Sequence, residues 1–289
     1  MLKIIDRTKV WFTISAILIL IGIGFGIARG GLNFGIDFRG GTEVTIDFGK
    51  AINKAEVDQI VKKYSPNAVT NTLENTQLEI KAKTNELDSA KVQSIMKDLK
   101  DKYKLTDKAL KSQDEIGASV GEQLTKNAVK ALLIAIVGML VYVIIRFRYE
   151  YAIAAVVALI HDVLITLAVY SVFNVPVNSA FIAGILTIIG YSMNDTVVIF
   201  DRIRENEKNK RSLDVAEVAN LSVNQTLTRS INTSMTILIA ITSVFILVPT
   251  IRDFTFPLMI GIFSGAYSSI FIASPIWVII RKRKQVANK

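Results

Sequence analysis

Six apolar stretches organise this chain: Val10–Ala28, Ala128–Ile145, Tyr151–Val172, Ala180–Phe200, Ile231–Val248 and Phe254–Ile280. Each is long enough to cross a hydrocarbon layer about 30 Å thick as a helix. The first is longer than the apolar core of a typical signal peptide, and no small-x-small cleavage site stands out behind it. A retained anchor at residues 1–28 is therefore expected. Between the first two stretches the pattern changes. Gly41–Phe48 alternates, with Thr42, Val44, Ile46 and Phe48 on one face and Glu43, Thr45 and Asp47 on the other, which predicts a half-buried strand. Asn53 followed by Glu56 reads as a capping box, and Val57, Ile60, Val61 and Tyr64 then repeat at helical spacing. Asn67–Leu73 and Gln77–Ala82 read as a hairpin around Glu74-Asn75-Thr76. Leu87, Ala90, Ile95, Met96, Leu99 and Tyr103 mark a second helix, and Ala109–Ile116 a last strand. The expected fold class is an α-helical integral membrane protein with six transmembrane helices. Residues 29–125 form one α+β domain of ferredoxin-like βαββαβ order, and residues 126–289 a five-helix bundle (spans at about 128–145, 151–172, 180–200, 231–248 and 254–280).

Composition agrees with a membrane protein, since 51% of the 289 residues are hydrophobic. The basic residues set the orientation. Lys3, Arg7 and Lys9, then Arg146 and Arg148, then Arg202, Arg204, Lys208, Lys210 and Arg211, and finally Arg281-Lys282-Arg283-Lys284 all fall on one side if both termini are cytoplasmic. Residues 29–125 are then extracytoplasmic. The net charge of +9 does not mark a nucleic-acid protein, because Arg29–Thr125 carries 15 basic and 15 acidic residues. The excess sits at membrane boundaries, facing anionic lipid headgroups. There is no cysteine, hence no disulfide or cysteine-ligated metal. A phosphate-binding G-x-x-x-x-G-K-[ST] loop is absent too, so any work is expected to draw on an ion gradient or a partner. No metal site and no organic cofactor are expected.

The candidate chemistry lies inside the apolar stretches. Asp195, beside Asn194, falls about 7–8 Å inside the charged boundary Asp201–Glu205 if its stretch spans a bilayer. A carboxylate at such a depth costs roughly 2.5–3.5 kcal/mol on insertion scales, so it is paired, protonated or used. Arg229, within TLTRSINTS, comes within reach of Asp195 if spans four and five are neighbours, across a connection Asp201–Arg229 long enough for a short surface helix. A contact that forms and breaks would gate a proton, whereas a static pair or a snorkelling arginine would not. His161-Asp162 is the second ionisable site, near the middle of span three; adjacent helical residues point about 100° apart and need not bond each other. Tyr191, Ser192, Asn194, Thr196, Asn232, Thr233, Ser234 and Thr236 either line a wet path or bond between helices. Gly261, Gly265, Ser269 and Ala273 recur every four residues along span six and read as close helix packing. Gly35-Ile36-Asp37-Phe38-Arg39-Gly40-Gly41 reads as a tight turn into the first strand or as a substrate contact, and a hinge is compatible with both.

GIDFRGG at Gly35–Gly41, His161-Asp162, GYSMNDTVVIFDRIREN at Gly190–Asn206 and NQTLTRSINTS at Asn224–Ser234 together resemble the SecD/SecF protein-export family of the resistance-nodulation-division superfamily. The resemblance runs along the whole chain, on the SecF side of that pair. One departure is Gly117-Ala118, where the family often has proline after the glycine. The resemblance implies a subunit, not an enzyme, that works with SecD and the Sec translocon channel and its associated membrane subunits. It would draw exported preprotein outward at the expense of a proton or sodium gradient. It further implies that Asp195 is the ion-coupling acid and that Arg229 works with it. Asn194 stands beside that acid, and His161 and Asp162 match the family pattern. A half-size exporter of small molecules or lipids, and a scaffold subunit without motor function, are the rival readings.

Overall fold

The computed structural model describes residues 3–73, 75–83, 86–210 and 212–287; Glu74 of the hairpin turn and Arg211 of the basic cluster lie outside them. The chain divides into two compact units, Phe34–Val129 and the remainder.

In the first of these, the elements run α2 (Ile36–Arg39), β1 (Gly41–Asp47), α3 (Lys54–Tyr64), β2 (Val69–Leu73), β3 (Gln77–Ala82), α4 (Ser89–Tyr103) and β4 (Leu110–Ile116). The strands form one antiparallel sheet in the order β2-β3-β1-β4. One sheet face is covered, where Val44, Ile46, Leu78 and Ile80 pack with Val57 and Val61 of α3 and Val92, Ile95 and Leu99 of α4. Strand alternation and helical periodicity converge on one core. Asn53 does precede α3, but its side chain caps no backbone N–H; it donates instead to Glu56 Oε1 at 3.2 Å. The expected capping box is therefore not formed, because the amide turned its donor toward the carboxylate. Gly40 and Gly41 take positive φ (+70° and +140°) between α2 and β1. A Cβ on Gly41 would stand 2.3 Å from the Ala82 carbonyl oxygen, so this pair is a locked turn into the sheet.

The other sheet face carries an acid cluster. Lys81 lies 2.9 Å from Glu79 on its own strand and 3.7 Å from Glu43 across from it on β1, one ammonium serving two carboxylates. Burial, together with the neighbouring Glu79 carboxylate, pushes Glu43 up from 4.5 to about 7 against the pull of Lys81. Glu79 is also penalised by burial, yet Lys81, together with hydrogen bonds from Glu43 and Asn71, offsets this and holds it below the ordinary range.

The second unit is helical: α1 (Thr8–Ala28), α5 (Ala118–Arg146, which begins in the first unit), α6 (Tyr149–Phe173), α7 (Ser179–Asn209), α8 (Val215–Leu247), α9 (Arg252–Ser268) and α10 (Ser274–Ala287). Among the described residues, six helical segments are long and apolar enough to cross a membrane, the last running from Pro249 to Val286 through α9 and α10. Between those two, Ser269–Ala273 forms a wide π turn. Pro275 has no N–H to give a carbonyl one turn back, and within the same turn Ser274 Oγ donates to the Ser269 carbonyl at 3.1 Å. The centre of the bundle is α6, α7 and α9. Gly261 and Gly265 make this possible: a Cβ on either would stand 2.2 Å from Ile188 Cδ1 or 2.9 Å from Ser192 Cβ of α7. The small-residue stripe of span six is thus a packing surface. On α1 only Ser15 and Gly22 are buried, and a Gly22 Cβ would meet Ala168 of α6 at 2.2 Å.

One expectation needs correction. The connection between spans four and five is not a long loop with a separate surface helix. α7 continues to Asn209, and α8 starts at Val215 and runs unbroken for 33 residues. Its first turns are closed by a true capping box, Asp214 with Glu217. They bury Val215, Val218, Ala219, Ser222, Val223 and Thr226, a helical stripe of small side chains.

Two predictions follow from these contacts. Gly22→Ala drives a methyl into the α6 backbone and should cost about 1–3 kcal/mol in thermal unfolding of the detergent-solubilised chain. Gly24→Ala, with nothing within 4 Å of its Cβ, should leave the midpoint unchanged. For Glu43, a folded-state pKa raised above the unfolded one gives stability that is full below pH 4.5 and is lost as the pH rises through about 7. Amide exchange of β1 and β3 in the full chain should therefore show protection falling over that window. Glu43→Gln should flatten the fall.

Candidate functional site

Among the described residues two aspartates are buried in the membrane-length helices, and their surroundings differ in kind. Asp162 is fully buried on α6. Its Oδ1 accepts from His161 Nδ1 at 3.0 Å and Ser264 Oγ at 2.9 Å, and its Oδ2 from Ser192 Oγ at 2.6 Å and Ser268 Oγ at 2.7 Å. The two adjacent side chains, His161 and Asp162, do bond each other. With its proton on Nδ1, the His161 ring accepts at Nε2 from Ser15 Oγ of α1, 2.9 Å away. Tyr267 stacks on the imidazole and donates to the Trp11 carbonyl at 3.0 Å. The knot ties α1, α6, α7 and α9 together and leaves the carboxylate no idle lone pair.

Asp195, on α7, is also nearly buried, at 2% exposure. Among the described residues its hydrogen-bond partners come from α8: Thr233 Oγ1 and Ser234 Oγ, both 3.4 Å away. These are weak bonds, and Thr233 Oγ1 also contacts the Arg229 carbonyl, at 2.9 Å. Two further hydroxyls at this α7–α8 contact are buried without any hydrogen-bond partner. Tyr191 Oη belongs to the residue one turn before Asp195, and Ser230 Oγ to the residue one turn before Ser234. The α7–α8 contact therefore holds a carboxylate with spare acceptor capacity, and one helical turn away along each helix a hydroxyl with spare donor and acceptor capacity. Such a donor set suits a proton or a small hard cation, which prefers oxygen ligands.

The expected site residues divide between these centres. Thr233 bonds Asp195, and Tyr191 lies one turn before it on α7, packed toward Ile188, Leu258 and Ile262. Ser192 serves Asp162, and Thr196 Oγ1 bonds Ser269 Oγ of the π turn at 2.8 Å. Asn194, Arg229 and Asn232 are exposed, on the outer surfaces of α7 and α8. Among the described residues, no ion pair joins Arg229 to Asp195 within 4 Å, although α7 and α8 are packed neighbours. Gly35, Gly40 and Gly41 sit in the locked turn, with Asp37 and Phe38 in α2 between them. Sequence reasoning missed Ser15, Ser230, Ser264, Ser268 and Tyr267. The available signal was Ser264 and Ser268 at i and i+4, beside the glycine stripe that carries α9 against α7.

With this geometry in place, comparison with known proteins is informative. Residues 95–283 match the family described as protein export membrane protein SecD/SecF, C-terminal, and residues 25–52 match the SecD/SecF GG motif. The protein translocase subunit SecF of Sebaldella termitidis is 39% identical, covering 98% of this chain and 93% of that one. Its counterpart from Thermodesulfovibrio yellowstonii is 34% identical over 99% of both. Among solved structures, SecDF from Thermus thermophilus, titled a translocon-associated membrane protein, superposes with a TM-score of 0.86 at 31% identity. That match covers 96% of this chain and 38% of the SecDF chain.

The two acids should respond oppositely to substitution. Asp162→Ala strands an imidazole and three serines, at about 3 kcal/mol or more, and should lower the thermal midpoint of the solubilised chain clearly. Asp195→Asn removes only two long contacts and should leave that midpoint nearly unmoved. Differential scanning fluorimetry in one detergent checks both.

Proposed function

The chain belongs to the SecD/SecF protein-export family, and from that membership we propose that it is the SecF-type partner of SecD, coupling an ion gradient to late steps of preprotein export. The observation that carries the coupling role is the under-committed environment of Asp195, set beside the saturated one of Asp162. A carboxylate built only for packing would be bonded as Asp162 is.

In this reading Asp195 takes up a proton, or a sodium ion as the transported species, from the outer side. Neutralisation removes the cost of holding a charge between apolar helices, and α8 settles differently against α7. Release toward the cytoplasm restores the carboxylate. Arg229, one turn before Thr233 on α8, supplies a positive charge whose approach favours the ionised acid and so favours release. Asn194 and Asn232, on the outer surfaces near the acid, complete a polar route. Only a difference in ion affinity between the two arrangements can do work. The α6–α7–α9 core, pinned through His161 and Asp162, is the frame against which α8 moves.

The α+β unit, with its ferredoxin-like order, lies outside the cytoplasm. The locked turn at Gly35–Gly41 transmits helix movement to it beside the emerging polypeptide. The termini and the Arg/Lys clusters lie on the cytoplasmic side of the cell membrane. The exporter reading is not favoured, because relatives matched over nearly their whole length are translocase subunits.

Pulse-labelling of cells whose only copy carries Asp195→Asn tests the coupling role. Release of a secreted protein should slow severalfold while the membrane abundance of the variant stays normal. Unchanged release would leave the scaffold reading as the better account.

A further inference from the structure

At the end of the bundle where the basic clusters gather, six of the described cations are already paired. Asp201 serves Arg146 (3.2 Å) and Arg204 (2.8 Å), and Glu205 serves Arg202 (2.6 Å). Asp214 takes Lys282 at 2.9 Å, Glu150 takes Lys284 at 2.7 Å, and Glu207 takes Arg281 at 2.6 Å. Among the described residues Lys3, Arg7, Lys9 and Arg283 have no acid within 4 Å, and three further unpaired cations gather in one place. Arg148, Lys208 and Lys210 are exposed and, among the described residues, have no acid within 4 Å.

These three line one cleft of about 360 Å³ between the start of α6, the end of α7, the start of α8 and α10. Among the described residues the one acid on its wall is Glu207, whose charge is taken up by Arg281. Leu213, Val215 and Val218 form the apolar part of the wall. The level of the cleft is fixed by its neighbours. Arg148 is the N-cap of α6, three residues before the apolar stretch begins at Tyr151, and Arg281 follows directly on the stretch that ends at Ile280. Tyr151, whose hydroxyl reaches Glu207 at 3.3 Å, ties the two levels together. A cleft with free cations on one side and aliphatic side chains on the other, at the edge of the hydrocarbon layer, matches a phosphate that carries acyl chains. The positive-inside rule accounts for the number of basic residues here. It does not by itself account for three unpaired cations lining one cleft against an aliphatic wall.

We propose that this cleft binds a phosphate group, supplied by the headgroup of an anionic phospholipid, with Arg148, Lys208 and Lys210 as its cationic ligands and the Leu213–Val218 wall against the glycerol and upper acyl chain. The site stands apart from Asp195 and does not depend on how that acid is used.

The test is native mass spectrometry of the delipidated full chain, titrated separately with phosphatidylglycerol, phosphatidylethanolamine and glycerol 3-phosphate. The wild type should retain phosphatidylglycerol in preference to phosphatidylethanolamine and should hold glycerol 3-phosphate poorly. The triple variant Arg148→Gln, Lys208→Gln, Lys210→Gln should bind phosphatidylglycerol roughly tenfold or more weakly. A variant with the same loss of charge in the α+β unit, Lys54→Gln, Lys62→Gln, Lys97→Gln, should bind it as the wild type does. Retention of phosphatidylglycerol by the first triple variant would overturn the site. Equal binding of the two lipids would overturn the headgroup assignment and favour an acidic protein segment as occupant. Tight binding of glycerol 3-phosphate alone would replace the lipid with a soluble phosphate source. Thermal midpoints of the variants, measured alongside, separate lost binding from lost folding.

Discussion

A carboxylate far inside a helical bundle has to be satisfied by the protein itself, and the arrangement around Asp162 follows from that constraint. Two donors reach each oxygen: three hydroxyls from two other helices and one imidazole from its own. His161 extends the knot to Ser15 of α1. Meeting these distances requires α6, α7 and α9 to approach closely, which is what Gly261 and Gly265 permit. Helix packing and polar satisfaction are here one problem with one solution. Each makes the other affordable.

Asp195 acquires its meaning by contrast. It is one residue beyond Asn194 on the same helix that lends Ser192 to Asp162, and it is almost as buried. Yet it meets two hydroxyls at 3.4 Å, while Tyr191 and Ser230 keep theirs unpartnered. In a medium without water to fill the gap, unspent hydrogen-bonding capacity around a charge is expensive. The α7–α8 contact therefore favours a second arrangement or a bound cation, whereas the α6–α7–α9 contact favours staying as it is. A fixed frame and a movable helix emerge from the same kinds of side chain, differing only in how completely they are used.

Much of this was legible along the chain, and the rest was hidden for physical reasons. Hydropathy located six spans because a length of apolar residues carries that signal by itself. Strand alternation in Gly41–Phe48 located β1 for the same kind of reason. The N-terminal half of α8 escaped, since NQTLTRSINTS lowers hydropathy; yet Val218, Ser222, Thr226, Ser230 and Ser234 fall at helical spacing and are buried. Ser264 and Ser268 escaped because a serine in an apolar span looks like a small packing residue until its acceptor is known. Asn53 misled for the opposite reason. Its spacing to Glu56 suits a capping box, but an amide can donate as well as accept, and this one donates.

The central claim is that Asp162 is a closed structural pin and Asp195 an open site. Carbodiimide labelling of the full chain in membrane vesicles, read by peptide mass spectrometry, tests it most directly, because the reagent attacks carboxyl groups that are protonated and not locked in hydrogen bonds. The account predicts adducts on Asp195, formed at a rate that changes when a proton or sodium gradient is imposed, and none on Asp162. Modification of Asp162 as fast as Asp195, or an Asp195 rate indifferent to either gradient, would contradict it.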